Sequence, residues 1–418
     1  MSLHANQLDG LAAAIARVAK LDMPADSALT AFFRANPAMG QRDRAFISEG
    51  AFAYLRRKRS LEAVADSALP RRLALAVATR ELGHSLRELE GALRNQEAAW
   101  LRDFKARLRD PLPDAVAADV PDWLWDALGE TYDDATRAAL TRAWQAPAPF
   151  DLRVNAVKAT RADALAALTE SGIDAMATPY SPLGIRVAGR PSLAGHPWLA
   201  DGRLEVQDEG SQLIGYLVAP RRNDMVVDFC AGAGGKTLLL GALMRSQGRL
   251  YAFDVSARRL ANFTPRLARS GLSNVHPQAI AHERDTKVKR LGGKIDRVLV
   301  DAPCTGFGTL RRNPDLKWRQ QPADVAELAE KQARILAAAS MLVKPKGRIV
   351  YATCSVLPAE NDAVVAGFLA AHPTFTQKDA SAELARADIA LDTGPALRLL
   401  PNVHGCDGFF AAILERAG

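Results

Sequence analysis

Met225-Val226-Val227-Asp228-Phe229-Cys230-Ala231-Gly232-Ala233-Gly234-Gly235-Lys236-Thr237 reads as an apolar strand that runs into a glycine-rich turn and then opens a helix. Small residues in such a turn let backbone amides approach a ligand closely, and the helix N-terminus behind it favours negative charge such as a carboxylate. Two nucleotide motifs compete for the same residues. A P-loop ending in Gly-Lys-Thr needs glycine where this chain has Cys230, and a Gly-x-Gly-x-x-Gly fingerprint would put Thr237 in its last glycine position. Neither fits well, although short glycine motifs are loose enough to leave both open on this segment alone.

Toward the C-terminus, apolar strands alternate with amphipathic helices. The pattern predicts strands at Met225–Phe229, Arg249–Phe253, Arg297–Val300 and Arg348–Ala352, followed by helices at Thr237–Met244, Ala257–Arg269, Ala323–Leu342 and Asn361–Ala371. This is an α/β pattern, and it implies a largely parallel, doubly wound sheet over residues 221–418. Ligands of such sheets bind at the carboxyl ends of the strands. Cys230, Asp254, Asp301 and Cys354 therefore share one address.

Toward the N-terminus the pattern changes twice. Residues 150–220 are short and mixed, with strands expected at Phe150–Val154 and Gly184–Val187 and a helix at Arg161–Ser171, which reads as a small α/β subdomain. Before the proline-rich break Ala146-Pro147-Ala148-Pro149, residues 1–145 show helical spacing almost throughout. No internal repeat or low-complexity tract interrupts these segments.

The chain has 418 residues, of which 48% are hydrophobic, enough for two or three domains. No apolar run is long enough to cross a bilayer and no signal-peptide pattern opens the chain, so a soluble, cytoplasmic protein is expected. A net charge of +7 is compatible with a polyanionic partner. Arg56-Arg57-Lys58-Arg59, Arg71-Arg72, Arg221-Arg222 and Arg311-Arg312 could track a phosphate backbone or simply be solvated surface. The four cysteines, Cys230, Cys304, Cys354 and Cys406, lie far apart with no zinc spacing, so no metal is expected. Nothing in the sequence calls for an obligate protein partner.

Asp254, about 20 positions beyond the glycine turn, suits a ribose diol as in dinucleotide folds. A helix N-cap is the competing reading, and Ser256 could supply that cap instead. Asp301-Ala302-Pro303-Cys304-Thr305-Gly306 and Thr353-Cys354-Ser355-Val356 both follow strongly apolar strands. Methylation of cytosine at carbon 5 needs a thiolate that adds to carbon 6, an acid that engages the ring nitrogen and a route for the carbon 5 proton. Asp301, Cys304 and Cys354 supply these parts.

The ordered set Asp228-x-Cys230-Ala231-x-x-Gly234-Gly235-Lys236-Thr237, Asp301–Cys304, Arg311–Trp318 and Thr353–Ser355 resembles the Nop/Sun family of RNA cytosine-5 methyltransferases. Val206–Gln212 and Pro401–Phe410 extend the resemblance, which runs from about Phe150 to the end. It implies a Rossmann-like, class I S-adenosylmethionine-dependent methyltransferase domain acting on RNA. It further implies Cys354 as nucleophile, Cys304 in product release, Asp301 against the base near the methyl donor and Lys236 lining the active site. Cys230, Ala231, Gly232, Ala233, Gly234, Gly235, Lys236, Asp254 and Asp301 would surround the cofactor. A further acidic contact on the adenine side falls to Asp285, with Glu283 as the alternative.

Gln41–Arg56 more loosely resembles part of a NusB-like RNA-binding domain, which the family's bacterial ribosomal RNA enzymes carry ahead of the catalytic fold. Three departures stand out: Ala233 replaces the usual proline of the turn, Thr305 replaces a serine, and Cys406 replaces a threonine and reads as structural. Ribosomal RNA is the expected substrate, with transfer RNA the alternative. A catalytically idle RNA-binding or assembly factor on the same scaffold would be free to lose its thiols, and a DNA methyltransferase would place its nucleophile in a Pro-Cys step alone.

Overall fold

The computed structural model describes residues 3–189, 191, 193 and 195–418. The chain divides into two compact units, Met1–Pro147 with Thr309–Gln321, and Ala148–Gly308 with Pro322–Gly418.

The first unit is helical. Helices Ala5–Val18, Gln41–Ala65 and Pro70–Arg80 turn Leu8, Leu11, Ile15, Tyr54, Leu55, Leu61 and Leu73 into one core, closed by Phe104 of helix Glu97–Arg107. The long helix kinks at Arg57, where φ is −115° and ψ is 17°. The kink has an identifiable cause: the Ser60 amide donates to Asp119 Oδ1 at 2.8 Å instead of continuing the helical ladder. The carbonyl of Arg56 accepts instead from Lys317 Nζ at 2.9 Å, and that of Leu55 from Trp318 Nε1 at 2.7 Å. The Arg311–Trp318 stretch thus serves this unit as a structural insert.

The basic run in this helix is not an open surface. Arg56 is buried and donates to the Arg311 carbonyl, Arg57 faces Glu81 and the buried Asp119, Lys58 pairs with Glu62, and Arg59 pairs with Asp122. Side chains committed to carboxylates and carbonyls have little left for phosphates.

The second unit holds two sheets. The smaller is antiparallel, with strands β1 (Phe150–Val154), β2 (Ala175–Ala177), β3 (Gly184–Val187) and β4 (Leu204–Val206) in the order β2-β3-β1-β4. Helix Arg161–Glu170 opens with a Thr160/Asp163 capping box and buries Ala164 and Leu168 against Leu152, Val154 and Ile185. The Val206–Gln212 motif joins this sheet to the helix Glu209–Val218. Glu209 Oε1 accepts from the amides of Tyr180 and Ser181, while Gln212 Nε2 donates to the carbonyls of Leu152 and Gln207.

The larger sheet contains β5 (Met225–Asp228), β6 (Arg249–Asp254), β7 (Val275–Ala279), β8 (Ile295–Asp301), β9 (Val343–Thr353), β10 (Phe375–Lys378), β11 (Leu397–Leu399) and β12 (Phe409–Arg416). Its order is β10-β12-β9-β8-β5-β6-β7, with β11 beside β12. Strands β5 to β9 pair in parallel, and β10, β11 and β12 are antiparallel. From β5 the chain runs first to β6 and β7 on one side, then to β8 and β9 on the other. That reversal opens a crevice at the carboxyl ends of β5 and β8. Asp228, Asp254, Asp301 and Thr353 are the last residues of β5, β6, β8 and β9.

Candidate active site

The turn after β5 is shaped by its own amides. Ala231 N donates to the Phe253 carbonyl and Gly232 N to Asp254 Oδ2, each at 2.8 Å, which fastens the turn to the end of β6. Gly234 has φ +81° and caps the helix Gly235–Leu243. A Cβ there would lie 2.0 Å from Phe263 Cδ2, so backbone conformation and space both demand glycine. Arg153, buried in β1, donates to the Gly235 carbonyl at 2.7 Å and to Gln207 Oε1, bracing the turn from behind. Ala233, at the position of the family's proline, stays exposed.

This turn forms one wall of a cavity of about 630 Å³, within the usual range for small-ligand sites. Cys230, Ala231, Gly232, Ala233, Gly235 and Lys236 line it, together with Asp254, Asp301, Cys304 and Cys354. Gly234 sits behind the turn and does not line it. Asp254 is buried and accepts from Gly232 N with one oxygen and from Ser256 N, at 2.7 Å, with the other. The N-cap of the following helix is Ser256, whose Oγ accepts from Arg259 N at 3.3 Å. Asp254 is therefore free of the capping role and presents its carboxylate to the cavity.

The acidic residue on the far side is Glu283, and here the structure corrects the expectation of Asp285. Glu283 lines the cavity. Asp285 caps the short helix Thr286–Lys289 instead: one oxygen accepts from Ala281 N at 2.8 Å and the other from Lys287 N at 2.9 Å. These backbone donors hold its carboxyl below the usual carboxylate range.

Just beyond the turn, Lys236 Nζ donates to Asp301 Oδ2 at 2.9 Å. Burial works against the ammonium, but the Asp301 charge and hydrogen bond, with Cys354 and Asp228 nearby, outweigh it and hold Lys236 above its ordinary value. The same ammonium lies 5.3 Å from the centre of the Phe409 ring. Asp228 is buried beneath the turn and accepts from Thr237 Oγ1 at 2.7 Å, while burial pushes its carboxyl up to about 7. Cys230 is driven well above the ordinary thiol range by burial among Asp228, Asp301 and Asp254, so it remains a thiol.

The registered pair Asp301↔Ala352 brings the ends of β8 and β9 side by side. Beyond them Cys304 Sγ and Cys354 Sγ lie 3.4 Å apart. The two loops are held backbone to backbone: Gly308 N donates to the Cys354 carbonyl and Gly408 N to the Gly308 carbonyl, each at 2.8 Å. A Cβ on Gly308 would sit 2.0 Å from the Gly408 carbonyl oxygen, and one on Gly408 2.8 Å from Gly308 Cα, so the close approach of the loops calls for glycine on both sides. Cys304 is pushed well above the ordinary thiol range, first by its hydrogen bond to Cys354, then by burial and by the charges of Cys354 and Glu360. Cys406 is fully buried in the hydrophobic core and takes no part in the cavity.

Sequence reading missed several of these groups. Gln207 and Ser211 line the cavity from within a motif that was recognised without a role, and Glu360 lies behind the cysteine loops. Among the described residues, no cluster of three or more His, Cys, Asp or Glu is arranged to hold a metal ion. No described helix is long and apolar enough to cross a membrane.

Residues 215–415 match the family model for the 16S rRNA methyltransferase RsmB/F, and residues 120–193 match that for the RsmF/B-like, ferredoxin-like domain. The chain is 35% identical to the probable ribosomal RNA small subunit methyltransferase B of Synechocystis sp. over 71% of its length and 67% of that protein's. It is 34% identical to ribosomal RNA small subunit methyltransferase B of Sodalis glossinidius over 75% of its length and 70% of that protein's. Among solved structures, the PH0851 crystal structure shares the fold with a TM-score of 0.80 at 23% identity, covering 100% of both chains.

Proposed function

The chain belongs to the 16S rRNA methyltransferase RsmB/F family, and from that membership we propose that it methylates carbon 5 of a cytosine in ribosomal RNA, with S-adenosylmethionine as methyl donor and Cys354 as nucleophile. One observation carries the reading. Two thiols meet at the mouth of a glycine-lined cavity, beside a lysine–aspartate pair.

The residues present fit the donor. Each oxygen of Asp254 already takes one amide and has a lone pair left for a ribose hydroxyl. Glu283 suits the adenine side, and the amides of Gly235 and Lys236, which open the helix Gly235–Leu243, suit the methionine carboxylate. When bound, S-adenosylmethionine supplies an electrophilic methyl group on a sulfonium.

Carbon 5 of cytosine is a poor nucleophile. Addition of the Cys354 thiolate at carbon 6 converts the ring to an enamine, whose carbon 5 can attack that methyl group. Lys236, held as an ammonium by Asp301, lines the same cavity as Cys354. Asp301 faces the ring nitrogen, and the proton which that nitrogen takes as the thiolate adds comes from the Lys236 ammonium bonded to Asp301. After transfer, the carbon 5 proton passes to water, its bonding pair re-forms the ring double bond, and the bond between Cys354 and carbon 6 breaks with its pair on the sulfur. Cys304, kept as a thiol and in contact with Cys354, donates to the departing sulfur. Residues 1–145 are assigned to docking the RNA, through surfaces other than Arg56–Arg59.

The test is methylation of a 16S rRNA transcript by the full-length protein with methyl-labelled S-adenosylmethionine, followed by nucleoside analysis. Label in 5-methylcytidine that vanishes with Cys354→Ala supports the reading. Label in another nucleoside, or an undiminished yield from the variant, overturns it.

A further inference from the structure

Behind the two cysteine loops lies a carboxylate that the chemistry above does not use. Glu360, on the short turn Pro358–Glu360 after β9, is fully buried. Its Oε1 accepts from Thr305 N at 2.8 Å and from Gln332 Nε2 at 3.0 Å. Its Oε2 accepts from Thr305 Oγ1 at 2.6 Å and from Ser355 Oγ. All four donors are uncharged. A buried carboxylate without a cation is costly, and here its four acceptor sites are filled instead by hydrogen bonds.

The identity of those donors is what matters. Thr305 follows Cys304, and Ser355 follows Cys354. Gln332, from helix Pro322–Ser340, also donates to the Pro303 carbonyl at 2.9 Å, so Cys304 is gripped on both sides. Tyr351 closes the network, its hydroxyl donating to the Glu360 carbonyl at 2.6 Å. A neutral apolar side chain at this position would leave two loop anchors without an acceptor.

We propose that Glu360 is a positioning residue for the two-thiol centre, tying together the residues that follow Cys304 and Cys354 and so fixing how the two sulfurs meet. Its charge has a second effect, because it adds to the field that keeps Cys304 protonated. The titratable groups facing Cys304 are Cys354 from the neighbouring loop, Glu360 behind it and Tyr351 from β9. Of these, Glu360 alone bonds to both loops. The proposal rests on the Cys354 reading for its consequence in methylation, but not for its geometry.

Two variants of the full-length protein separate scaffold from charge. In Glu360→Gln the hydroxyls of Thr305 and Ser355 can turn to accept from the amide, so the scaffold survives and the charge is lost. In Glu360→Ala the scaffold goes too. Iodoacetamide labelling of Cys304 and Cys354, read peptide by peptide across the pH range in which thiols titrate, is measured beside kcat and KM for RNA. Glu360→Ala should lower kcat by roughly tenfold to a hundredfold with little change in KM, the size of effect expected when reacting groups are misplaced. Glu360→Gln should restore most of kcat while moving the Cys304 labelling profile to lower pH.

A folded Glu360→Ala protein with unchanged kcat and unchanged labelling of both thiols overturns the proposal. If that variant does not fold, Glu360→Gln decides: an unmoved Cys304 profile together with poor activity leaves Glu360 a packing residue only. Labelling does not depend on methylation. A shifted profile in a protein that makes no 5-methylcytidine would therefore refute the proposed function while leaving the positioning role standing.

Discussion

The sulfur of Cys304 lies 3.4 Å from that of Cys354, although the residues are 50 positions apart in the chain. Neighbouring parallel strands in register bring them together, and the bonds of Glu360 and Gly308 hold the loops that carry them. Two thiols in contact do not ionise independently, because the first negative charge raises the cost of the second. In the proposed chemistry the two sulfurs take different parts, with Cys304 the one that stays protonated.

Asp254→Ala should weaken S-adenosylmethionine binding by about 1.5–3 kcal/mol, the value of hydrogen bonds to a charged acceptor, measured by calorimetric titration. The fold should change little, since Ser256 keeps the helix cap. Unaltered affinity would leave Asp254 as a fastener of the Gly232 amide alone.

Asp228 makes stability depend on pH in an unusual direction. Burial pushes its native carboxyl up to about 7, above the ordinary aspartate value of about 3.9, so the folded protein holds a proton that the unfolded chain has released. Its contribution is full below the lower value and is lost as pH rises to the upper one. Asp228→Asn removes this dependence. The variant should be more stable than the parent by roughly 1–3 kcal/mol at pH 8, with the gain shrinking toward pH 4. Thermal or urea unfolding across that range checks it, and a gain that grows toward low pH would contradict it.

Arg57→Ala should cost about 1–3 kcal/mol of stability, because it strips a partner from the fully buried Asp119 and from Glu81. The salt dependence of RNA binding should stay the same. A shallower salt slope with unchanged unfolding would return this residue to the phosphate-binding surface.

Much of the catalytic fold was legible because β5, β6, β8 and the second half of β9 are short, largely apolar runs with aspartate or cysteine at or just beyond their ends. Strand β7 was not legible: Pro277 sits inside it, which a strand tolerates at a sheet edge, and only Val275 and Ala279 of its other residues are apolar. The antiparallel strands β10 to β12 lie outside the strand–helix alternation that signals a parallel sheet. Cys304 and Cys354, singled out by their motifs, and Asp254, by its spacing from the turn, line one cavity. Glu360 was not found, since nothing local in Ser355–Asn361 says that its carboxylate points back at two loops. The choice of Asp285 over Glu283 failed for a related reason: both stand beside the same turn, and only the backbone donors decide which one is spent as a cap. The run Arg56–Arg59 misled in the opposite sense, because composition shows charge but not the carboxylates that distant segments fold onto it.

The most direct measurement is denaturing gel electrophoresis of the full-length protein with labelled ribosomal RNA and S-adenosylmethionine, comparing Cys304→Ala, Cys354→Ala and the double variant. In the proposed mechanism Cys354 attacks carbon 6 before transfer, whereas Cys304 acts as the adduct breaks down. Cys304→Ala should therefore give a shifted covalent band carrying methylated RNA, and both Cys354→Ala and the double variant should give none. A band that persists in Cys354→Ala and is lost in Cys304→Ala would contradict the assignment of the nucleophile.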